Sequence, residues 1–306
     1  MRAPSDPEHA LISVGEWLAG LGYEFTTVTP ESHRRVVARP DRQVARTVRD
    51  VFGWSLPFPR ALLPAQIVDA LRTGGALDES GPDLLTSRIR FSSLRGRLYV
   101  HSAYPTDHEH AVFFGPDTYR FCSALAKTVT GARRVVDLGA GSGAGGISLA
   151  ERCDVITLAD CNPLAATFAR VNAQLAGCAD RVELAIGDLF EAVTGPVELV
   201  IANPPYIADT SARLYCDGGG DLGTGLSIRI VEESLARLAP GGKLVLYTGS
   251  PIQAGVDPIR RAVTPLLAHT KWRYRELDPD VFGEELATET YATVERIAAV
   301  LLTVEV

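Results

Sequence analysis

The chain of 306 residues is 46% hydrophobic and 22% charged, a composition typical of soluble globular proteins. This composition excludes a disordered chain, which could not bury enough apolar surface to offset its conformational entropy. The chain has no apolar run near the roughly 18 residues that a membrane span needs. The net charge is −7, and residues 1–105 carry 13 basic and 11 acidic side chains, so a broadly basic surface that wraps a nucleic-acid backbone is not indicated.

The N-terminal segment and the cysteines indicate the compartment in which the protein works. Residues 1–17 lack the long apolar core of a secretory signal, which predicts a cytoplasmic protein without a membrane partner. The cysteines are odd in number and form no C-x-x-C pair, so we expect reduced, mostly packed thiols and no metal site. They are Cys122, Cys153, Cys161, Cys178 and Cys216. The oligomeric state is left open.

The length suggests about two domains, and the sequence pattern changes near residue 105. Residues 1–105 are expected to form a small α+β domain that recognises the substrate. Apolar periodicity predicts helices over 41–52 and 64–73, and strand-like composition predicts a hairpin of 84–91 with 97–101. Two helices followed by a β-hairpin resemble a winged helix.

An arginine-rich stretch lies within this first part. Its side chains fit either a solvated helix face or a face that binds RNA or another phosphate-bearing partner. The sequence leaves both interpretations open. The residues are Arg34, Arg35, Arg39, Arg42, Arg46 and Arg49.

Residues 106–306 are expected to form an α/β domain around a mostly parallel sheet. Its strands are apolar enough to be buried on both faces, with helices between them. Segments 271–277 and 296–304 have a linker too short and too polar for a crossover helix, so we place them as an antiparallel pair at the sheet edge. The other predicted strands are 134–138, 155–158, 181–186, 198–202 and 243–248, and the predicted helices are 145–152, 163–175 and 225–238.

Residues 135–143, Val-Val-Asp-Leu-Gly-Ala-Gly-Ser-Gly, form a strand that runs into a glycine loop and then a helix. Glycines allow a tight turn and let a ligand touch the backbone, while the helix start offers unpaired N–H groups. Gly141, Gly143 and Gly146 satisfy the dinucleotide pattern G-x-G-x-x-G, and Asp160 follows Gly141 by 19 residues, near the spacing of a ribose-binding acid.

A second ligand class, S-adenosylmethionine (SAM), fits the same loop better. Asp137 lies inside the strand, two residues before Gly139. Its carboxylate would repel a pyrophosphate but would attract the ammonium of an amino-acid moiety, directly or through water. SAM carries an amino acid and no phosphate. A nicotinamide-dependent oxidoreductase remains the more distant alternative.

Acids follow two further strands of the predicted sheet. Asp160 closes the second strand and can accept hydrogen bonds from both ribose hydroxyls, since ligands in such folds lie across the carboxyl ends of the strands. Asp188 follows the third strand and can accept the adenine amino group, with Leu189 or Phe190 covering the ring. Acids at three consecutive strands predict a nucleoside-binding edge.

The four residues Asn203-Pro204-Pro205-Tyr206 (NPPY) follow the fourth strand. The Asn203 side-chain oxygen and the Pro204 carbonyl oxygen can accept both hydrogens of a planar NH2 group, and Tyr206 offers a ring to stack on it. Holding both hydrogens turns the nitrogen lone pair toward the donor methyl and stabilises the charge that develops on nitrogen. The motif therefore indicates methylation of an amide or aromatic amine.

Residues 110–250 resemble a class I SAM-dependent methyltransferase with the NPPY variant, and most resemble the protein-glutamine N5-methyltransferases of the HemK/PrmC type. The segment Gly-Pro-Asp-Thr at 115–118 resembles that family's Arg-Pro-Glu-Thr segment, with two residues changed. The resemblance implies a Rossmann-like SAM-binding catalytic domain over 106–306. That family has an all-helical N-terminal domain, whereas strands are expected here.

The resemblance also implies the roles of the site residues. Asn203, Pro204, Pro205 and Tyr206 are the predicted catalytic residues, and Asn203 also belongs to the cofactor site. The other predicted SAM-binding residues are Pro116, Thr118, Asp137, Gly139, Ala140, Gly141, Gly143, Asp160, Cys161, Asn162, Gly187, Asp188 and Leu189. Glutamine N5 of a protein is the first acceptor to consider. The same core also serves enzymes that methylate rRNA or DNA bases and small-molecule amines, so the acceptor stays open.

Overall fold

The structure, a computed structural model, describes residues 5–208 and 217–306. Its α-helices are α1 (Asp6–Gly20), α2 (Pro30–Val37), α3 (Val48–Phe52), α4 (Ala65–Thr73), α5 (Pro116–Thr128), α6 (Ala144–Ile147), α7 (Pro163–Leu175), α8 (Gly225–Arg237) and α9 (Pro258–Leu266). Its strands are β1 (Phe58–Pro59), β2 (Leu77–Glu79), β3 (Leu84–Ser87), β4 (Ile89–Leu94), β5 (Arg97–Ser102), β6 (Ala132–Leu138), β7 (Cys153–Asp160), β8 (Val182–Ile186), β9 (Val197–Ala202), β10 (Leu238–Ile252), β11 (Lys271–Asp278) and β12 (Arg296–Glu305). Within these described ranges, no helix has the length and apolar character of a bilayer span.

A seven-stranded sheet organises the second part of the chain, in the order β11-β12-β10-β9-β6-β7-β8. Strands β6 to β10 are all parallel to one another, and β12 runs antiparallel to both β10 and β11. The predicted α/β class with a mostly parallel sheet and an antiparallel C-terminal pair is confirmed.

Both faces of this sheet are covered, which explains why its strands are so apolar. Successive residues of β6 enter different cores: Val135 packs with α5, α6 and α7, and Val136 packs with α8 and α9. Both side chains are fully buried. The predicted helix over 145–152 is too long, because α6 ends at Ile147 and the chain continues in tighter turns with hydrogen bonds between residues three apart.

The first part of the chain departs from two predicted elements. The helix predicted over 41–52 is wrong in extent, since only α3 is helical there. The Asp50 carboxylate accepts hydrogen bonds from the backbone N–H groups of Arg46 and Thr47 and pairs with Arg42, so it caps a short helix. The strand predicted over 84–91 is interrupted at Arg88, and its halves, β3 and β4, belong to separate sheets.

The predicted hairpin near residue 95 is present as β4 and β5. Its turn residues Arg95 and Gly96 have φ of 52° and 73°, the backbone that a two-residue hairpin turn of the right twist requires. The hairpin and the N-terminal helices share one core with α7, in which Phe52 and Phe91 pack together with Phe168. The first part therefore lies directly against the sheet's helical layer.

A buried ion pair also joins α1 to α7. Arg170 donates from Nε to the Glu8 carboxylate at 2.9 Å, and their side chains are 9% and 3% exposed. Burial alone would raise the pKa of Glu8, but hydrogen bonds from Ser5 and Arg170 outweigh it and lower the pKa below the ordinary value of 4.5. The ionised carboxylate therefore stabilises the fold.

Replacing Glu8 by Gln is expected to lower the free energy of unfolding by about 3–5 kcal/mol near pH 7, because Arg170 then stays buried without a counter-ion. Since the folded pKa is lowered, the stabilisation is complete above the unfolded pKa and is lost as pH falls through the folded value. The difference between wild type and variant should shrink below pH 4.5. Urea unfolding across pH tests this, with Glu16→Gln on the exposed side of α1 as the matched control. Equal losses for the two variants would contradict the assignment.

Candidate active site

The carboxyl ends of four parallel strands meet at one edge of the sheet. Leu138 at the end of β6 pairs with Ala159 on one side and Ala202 on the other, and Asp160 pairs with Ile186. The glycine loop, the strand-end acids and the NPPY segment therefore start side by side. A cavity of about 440 Å³ opens at this edge.

Most of the predicted site residues line this cavity. They are Thr118, Gly139, Gly141, Asp160, Cys161, Asn162, Gly187, Asp188, Leu189, Asn203, Pro204, Pro205 and Tyr206. Four predicted residues are not among its lining: Pro116, Asp137, Ala140 and Gly143. The structure thus brings the sequence motifs together, and of the other four only Asp137 and Gly143 are buried.

The glycine loop passes close beneath the NPPY segment. Gly139, Gly141 and Gly143 all have positive φ, between 53° and 77°, which side chains rarely adopt. A Cβ added at Gly139 would lie 3.9 Å from the Pro204 Cα. The loop and the NPPY segment therefore lie side by side at the strand ends, where both line the cavity.

Asp137 supports the loop from below. It is 2% exposed, and its carboxylate accepts a hydrogen bond of 2.7 Å from the Gly146 backbone N–H. Burial raises the pKa of Asp137 to about 7, and the charge of Asp160 contributes to the rise. The hydrogen bond from Gly146 acts in the opposite direction and lowers the pKa. In this position the side chain fixes the start of α6, and its predicted contact with a ligand's ammonium stays a prediction.

Asp160 is held in place by the backbone around it. One carboxylate oxygen accepts the Gly141 N–H and the other accepts the Asn162 N–H, both at 2.8 Å. Burial raises the pKa of Asp160, while these two hydrogen bonds oppose the rise. Each oxygen keeps a second lone pair, so the fixed carboxylate can still accept two hydroxyl groups from the cavity.

Asp188 is more open. Its side chain is 61% exposed and accepts a hydrogen bond of 2.7 Å from Arg229, which also pairs with Glu233. The ion pair occupies one carboxylate oxygen and leaves the other for a donor such as an amino group. An exposed ion pair of this kind adds little stability.

The NPPY segment combines one free side chain with one clamped side chain. Asn203 lines the cavity, and among the described residues none hydrogen-bonds its side-chain amide. Tyr206 is 6% exposed, and its hydroxyl donates a hydrogen bond of 2.7 Å to Asp117. Its ring meets Phe282 edge-on at 5.8 Å between centroids. The Asn203 side-chain amide is thus available to a ligand, and the Tyr206 ring of the same segment is held in a fixed position.

Sequence reasoning missed several residues of the cavity wall. Asp117 is buried under Tyr206, and only its place in the Gly-Pro-Asp-Thr segment could have indicated it. Phe282 and its two acidic neighbours come from the loop before β12, and Pro30 and Tyr104 come from the first part of the chain. Nothing local in the sequence marks these four segments as neighbours.

The cavity wall is acidic. Its described lining contains six carboxylates and no Lys, Arg or His: Asp107, Asp117, Asp160, Asp188, Glu284 and Glu285. Such a wall attracts a ligand with positive charge and repels phosphate groups. The fit is to the sulfonium and ammonium of SAM, and a pyrophosphate would find no cation there.

Comparison with known proteins finds similar proteins for the part of the chain that carries this site. Residues 116–255 match the methyltransferase small domain family model. The matched segment makes up 140 of the 306 residues. The glycine loop, both strand-end acids and the NPPY segment all fall inside it.

Curated relatives are similar to the same part of the chain. The release factor glutamine methyltransferase of Deinococcus radiodurans is 31% identical over 50% of this chain and 55% of its own length. The 4-amino-L-phenylalanine/4-methylamino-L-phenylalanine methyltransferase of Streptomyces pristinaespiralis is 38% identical over 45% of this chain and 51% of its own. The chain spans about half the length of the curated relatives it matches.

Solved structures agree on the fold. Methanocaldococcus jannaschii Trm5 in complex with adenosine superposes with a TM-score of 0.51 at 16% identity, covering 72% of this chain and 56% of that chain. At this identity the likeness supports the fold alone. The likeness agrees with the sheet expected from the sequence.

Gly249 of β10 makes room for the Tyr206 ring, because a Cβ at position 249 would collide with that ring. Gly249→Ala is expected to lower the free energy of unfolding by about 1–3 kcal/mol through overpacking. It should also slow methyl transfer by about 10-fold or more, since small displacements near the reacting atoms are costly. Thermal unfolding and initial rates measure both effects.

The matched control is Gly20→Ala at the end of α1, where an added Cβ meets no atom within 4 Å. It should leave both quantities nearly unchanged. A Gly249→Ala variant with wild-type stability would show that the ring is not held as described.

Proposed function

We propose that this protein is a SAM-dependent N-methyltransferase that acts on a planar amide or amino nitrogen. The observation that carries the proposal is the free Asn203 amide, which lines an acidic cavity beside the glycine loop. Its oxygen is available to a ligand because no described residue uses it. An acceptor NH2 group bound there would lie near Gly139 and Gly141, which line the same cavity.

The donor site is proposed along the strand ends. Asp160 would accept the ribose hydroxyls, and Asp188 would accept the adenine amino group with its free oxygen. Gly139 and Gly141 would let the donor approach the backbone. Bound SAM supplies an electrophilic methyl group on a positively charged sulfur.

The acceptor is held by the NPPY segment. The Asn203 side-chain oxygen and the Pro204 carbonyl oxygen would each accept one N–H of the acceptor, which fixes the direction of the nitrogen lone pair. These oxygens also stabilise the positive charge that grows on nitrogen as its new bond to carbon forms and the old carbon–sulfur bond breaks. The surplus proton then passes from nitrogen to water, so no strong base is needed.

Protein glutamine is the first acceptor that we propose. The support is the similarity to release factor glutamine methyltransferases over half of the chain. The residues of 1–105 would help to recognise this acceptor, since Pro30 and Tyr104 reach the cavity wall. A cytoplasmic location remains a prediction of the sequence.

A small-molecule aromatic amine is the second candidate. It is favoured by the similarity to the Streptomyces pristinaespiralis enzyme and by a cavity that residues from both parts of the chain enclose. Nucleic-acid bases are less favoured, because the wall is acidic and several arginines of the 34–49 stretch are engaged within the chain. Arg34 and Arg35 pair with Glu31, and Arg42 pairs with Asp50.

Incubating cell extract with the protein and methyl-labelled SAM tests the proposal. Label should enter the protein fraction, and digestion of that fraction should release N5-methylglutamine. Label in small molecules alone would select the arylamine alternative, and label in RNA or DNA would overturn both. Titration with SAM and with NADH distinguishes a methyltransferase from a nicotinamide-dependent oxidoreductase, because only SAM should bind to a methyltransferase.

A further inference from the structure

We propose that Asp117 is a positioning residue of the acceptor site, which fixes the Tyr206 ring through a buried hydrogen bond. This inference rests on the proposed function, because it concerns how the NPPY segment is held during transfer. Neither the family match nor the sequence pattern assigns a role to this carboxylate.

Asp117 collects three donors in the first turn of α5. Its Oδ2 accepts the Tyr206 hydroxyl at 2.7 Å, and its Oδ1 accepts the Tyr247 hydroxyl at 2.5 Å. Arg120 donates to the same Oδ1 at 3.1 Å and continues to Asp278 on β11 at 2.9 Å. The carboxylate is 5% exposed, so hydrogen bonds to it are made in a largely dry environment.

Three contacts, from different directions, restrain the Tyr206 side chain. Asp117 holds the hydroxyl, Gly249 lies against the ring with no room for a Cβ, and Phe282 meets the ring edge-on. Burial and the neighbouring charge of Asp117 raise the pKa of Tyr206 well above its ordinary value, so the phenol stays a donor at any working pH. Among the described residues, the bond from the phenol to the Asp117 carboxylate is the only hydrogen bond of the Tyr206 side chain.

The ring is therefore fixed before an acceptor arrives. Since Tyr206 lines the cavity next to Asn203, the direction of its ring decides where a planar acceptor group can lie. Asp117 also lines the cavity but has most of its acceptor capacity taken by tyrosines and arginine. This arrangement suits a carboxylate that orients another residue and does not suit a proton acceptor.

The test is a double-mutant cycle of Asp117→Asn and Tyr206→Phe, measured as the initial rate of label transfer from SAM to extract protein. Each single variant should lower kcat about 10-fold with the KM for SAM unchanged. The double variant should be little slower than either, because both changes remove one interaction. Asp180→Asn, an exposed acid of a 3-10 helix at the start of β8, is the matched control and should keep the wild-type rate.

A second readout does not need the acceptor. With 3-fluorotyrosine incorporated, the 19F resonance of Tyr206, assigned by its loss in Tyr206→Phe, should shift and broaden in Asp117→Asn and stay unchanged in Asp180→Asn. A merely structural role would lower thermal stability and SAM affinity without these selective effects. If Asp117→Asn does not fold, Tyr206→Phe carries the test alone, and a wild-type rate for it overturns the inference.

The outcomes separate this inference from the proposed function. If wild-type protein fails to bind SAM in calorimetry, the proposed function fails. If it binds SAM and labels protein, but Asp117→Asn transfers at the wild-type rate or the two changes multiply to about 100-fold, only the role of Asp117 fails.

Discussion

Replacing Asn203 by Ala is expected to slow methyl transfer by about 10²-fold or more, while the affinity for SAM stays nearly unchanged. The amide supplies one of the two oxygens that hold the acceptor nitrogen, and a preorganised partner of this kind acts mostly in the transition state. The donor site along Asp160 and Asp188 does not depend on this side chain. Calorimetry with SAM and single-turnover rates with labelled donor measure the two quantities.

Gln43→Ala, which removes an exposed amide that does not line the cavity, is the control for Asn203→Ala. Its rate should equal that of the wild type. An Asn203→Ala enzyme with an unchanged turnover number would remove Asn203 from the mechanism, and a parallel loss of SAM affinity would move it to the donor site.

Asp160→Asn should weaken SAM binding by about 10²-fold. The carboxylate would accept two ribose hydroxyls, and hydrogen bonds to a charged group contribute roughly 1.5–3 kcal/mol each. The amide keeps one acceptor oxygen, but it cannot serve both the Gly141 and the Asn162 N–H groups as the carboxylate does. The dissociation constant for S-adenosylhomocysteine, measured by calorimetry, gives the loss directly.

Asp188→Asn is the comparison for this prediction. Its carboxylate is more exposed and already paired with Arg229, so the dissociation constant should rise by only about 10-fold or less. If Asp188→Asn weakened binding more than Asp160→Asn, the ribose and adenine assignments would have to be exchanged or abandoned.

The sequence was sufficient for the features that depend on local pattern. Apolar runs such as Val135–Val136 predicted a sheet covered on both faces, and each run ended in Gly, Asp or Asn. In parallel strands those ends must meet at one edge, so the position of Asp160 beside Gly141 followed from topology. Thirteen of the 29 residues that line the cavity could be written down before any fold was known.

What the sequence missed depends on contacts between distant segments. Asp117 reaches Tyr206 and Tyr247 across 89 and 130 residues, and no local periodicity encodes those distances. The spacing of the arginines predicted a helix over 41–52, but the Asp50 carboxylate accepts hydrogen bonds from Thr47 and caps the helix there. The helix is therefore shorter than predicted. Tertiary hydrogen bonds decided both cases against local propensity.

The most direct test of the central claim is a crystal structure with S-adenosylhomocysteine bound. The account predicts the ligand along the strand ends, with its ribose hydroxyls on Asp160, its adenine toward Asp188 and its sulfur facing the Asn203 side-chain oxygen and the Pro204 carbonyl. A structure in which this cavity stays empty, or in which the Asn203 side chain turns away from the sulfur, would contradict it.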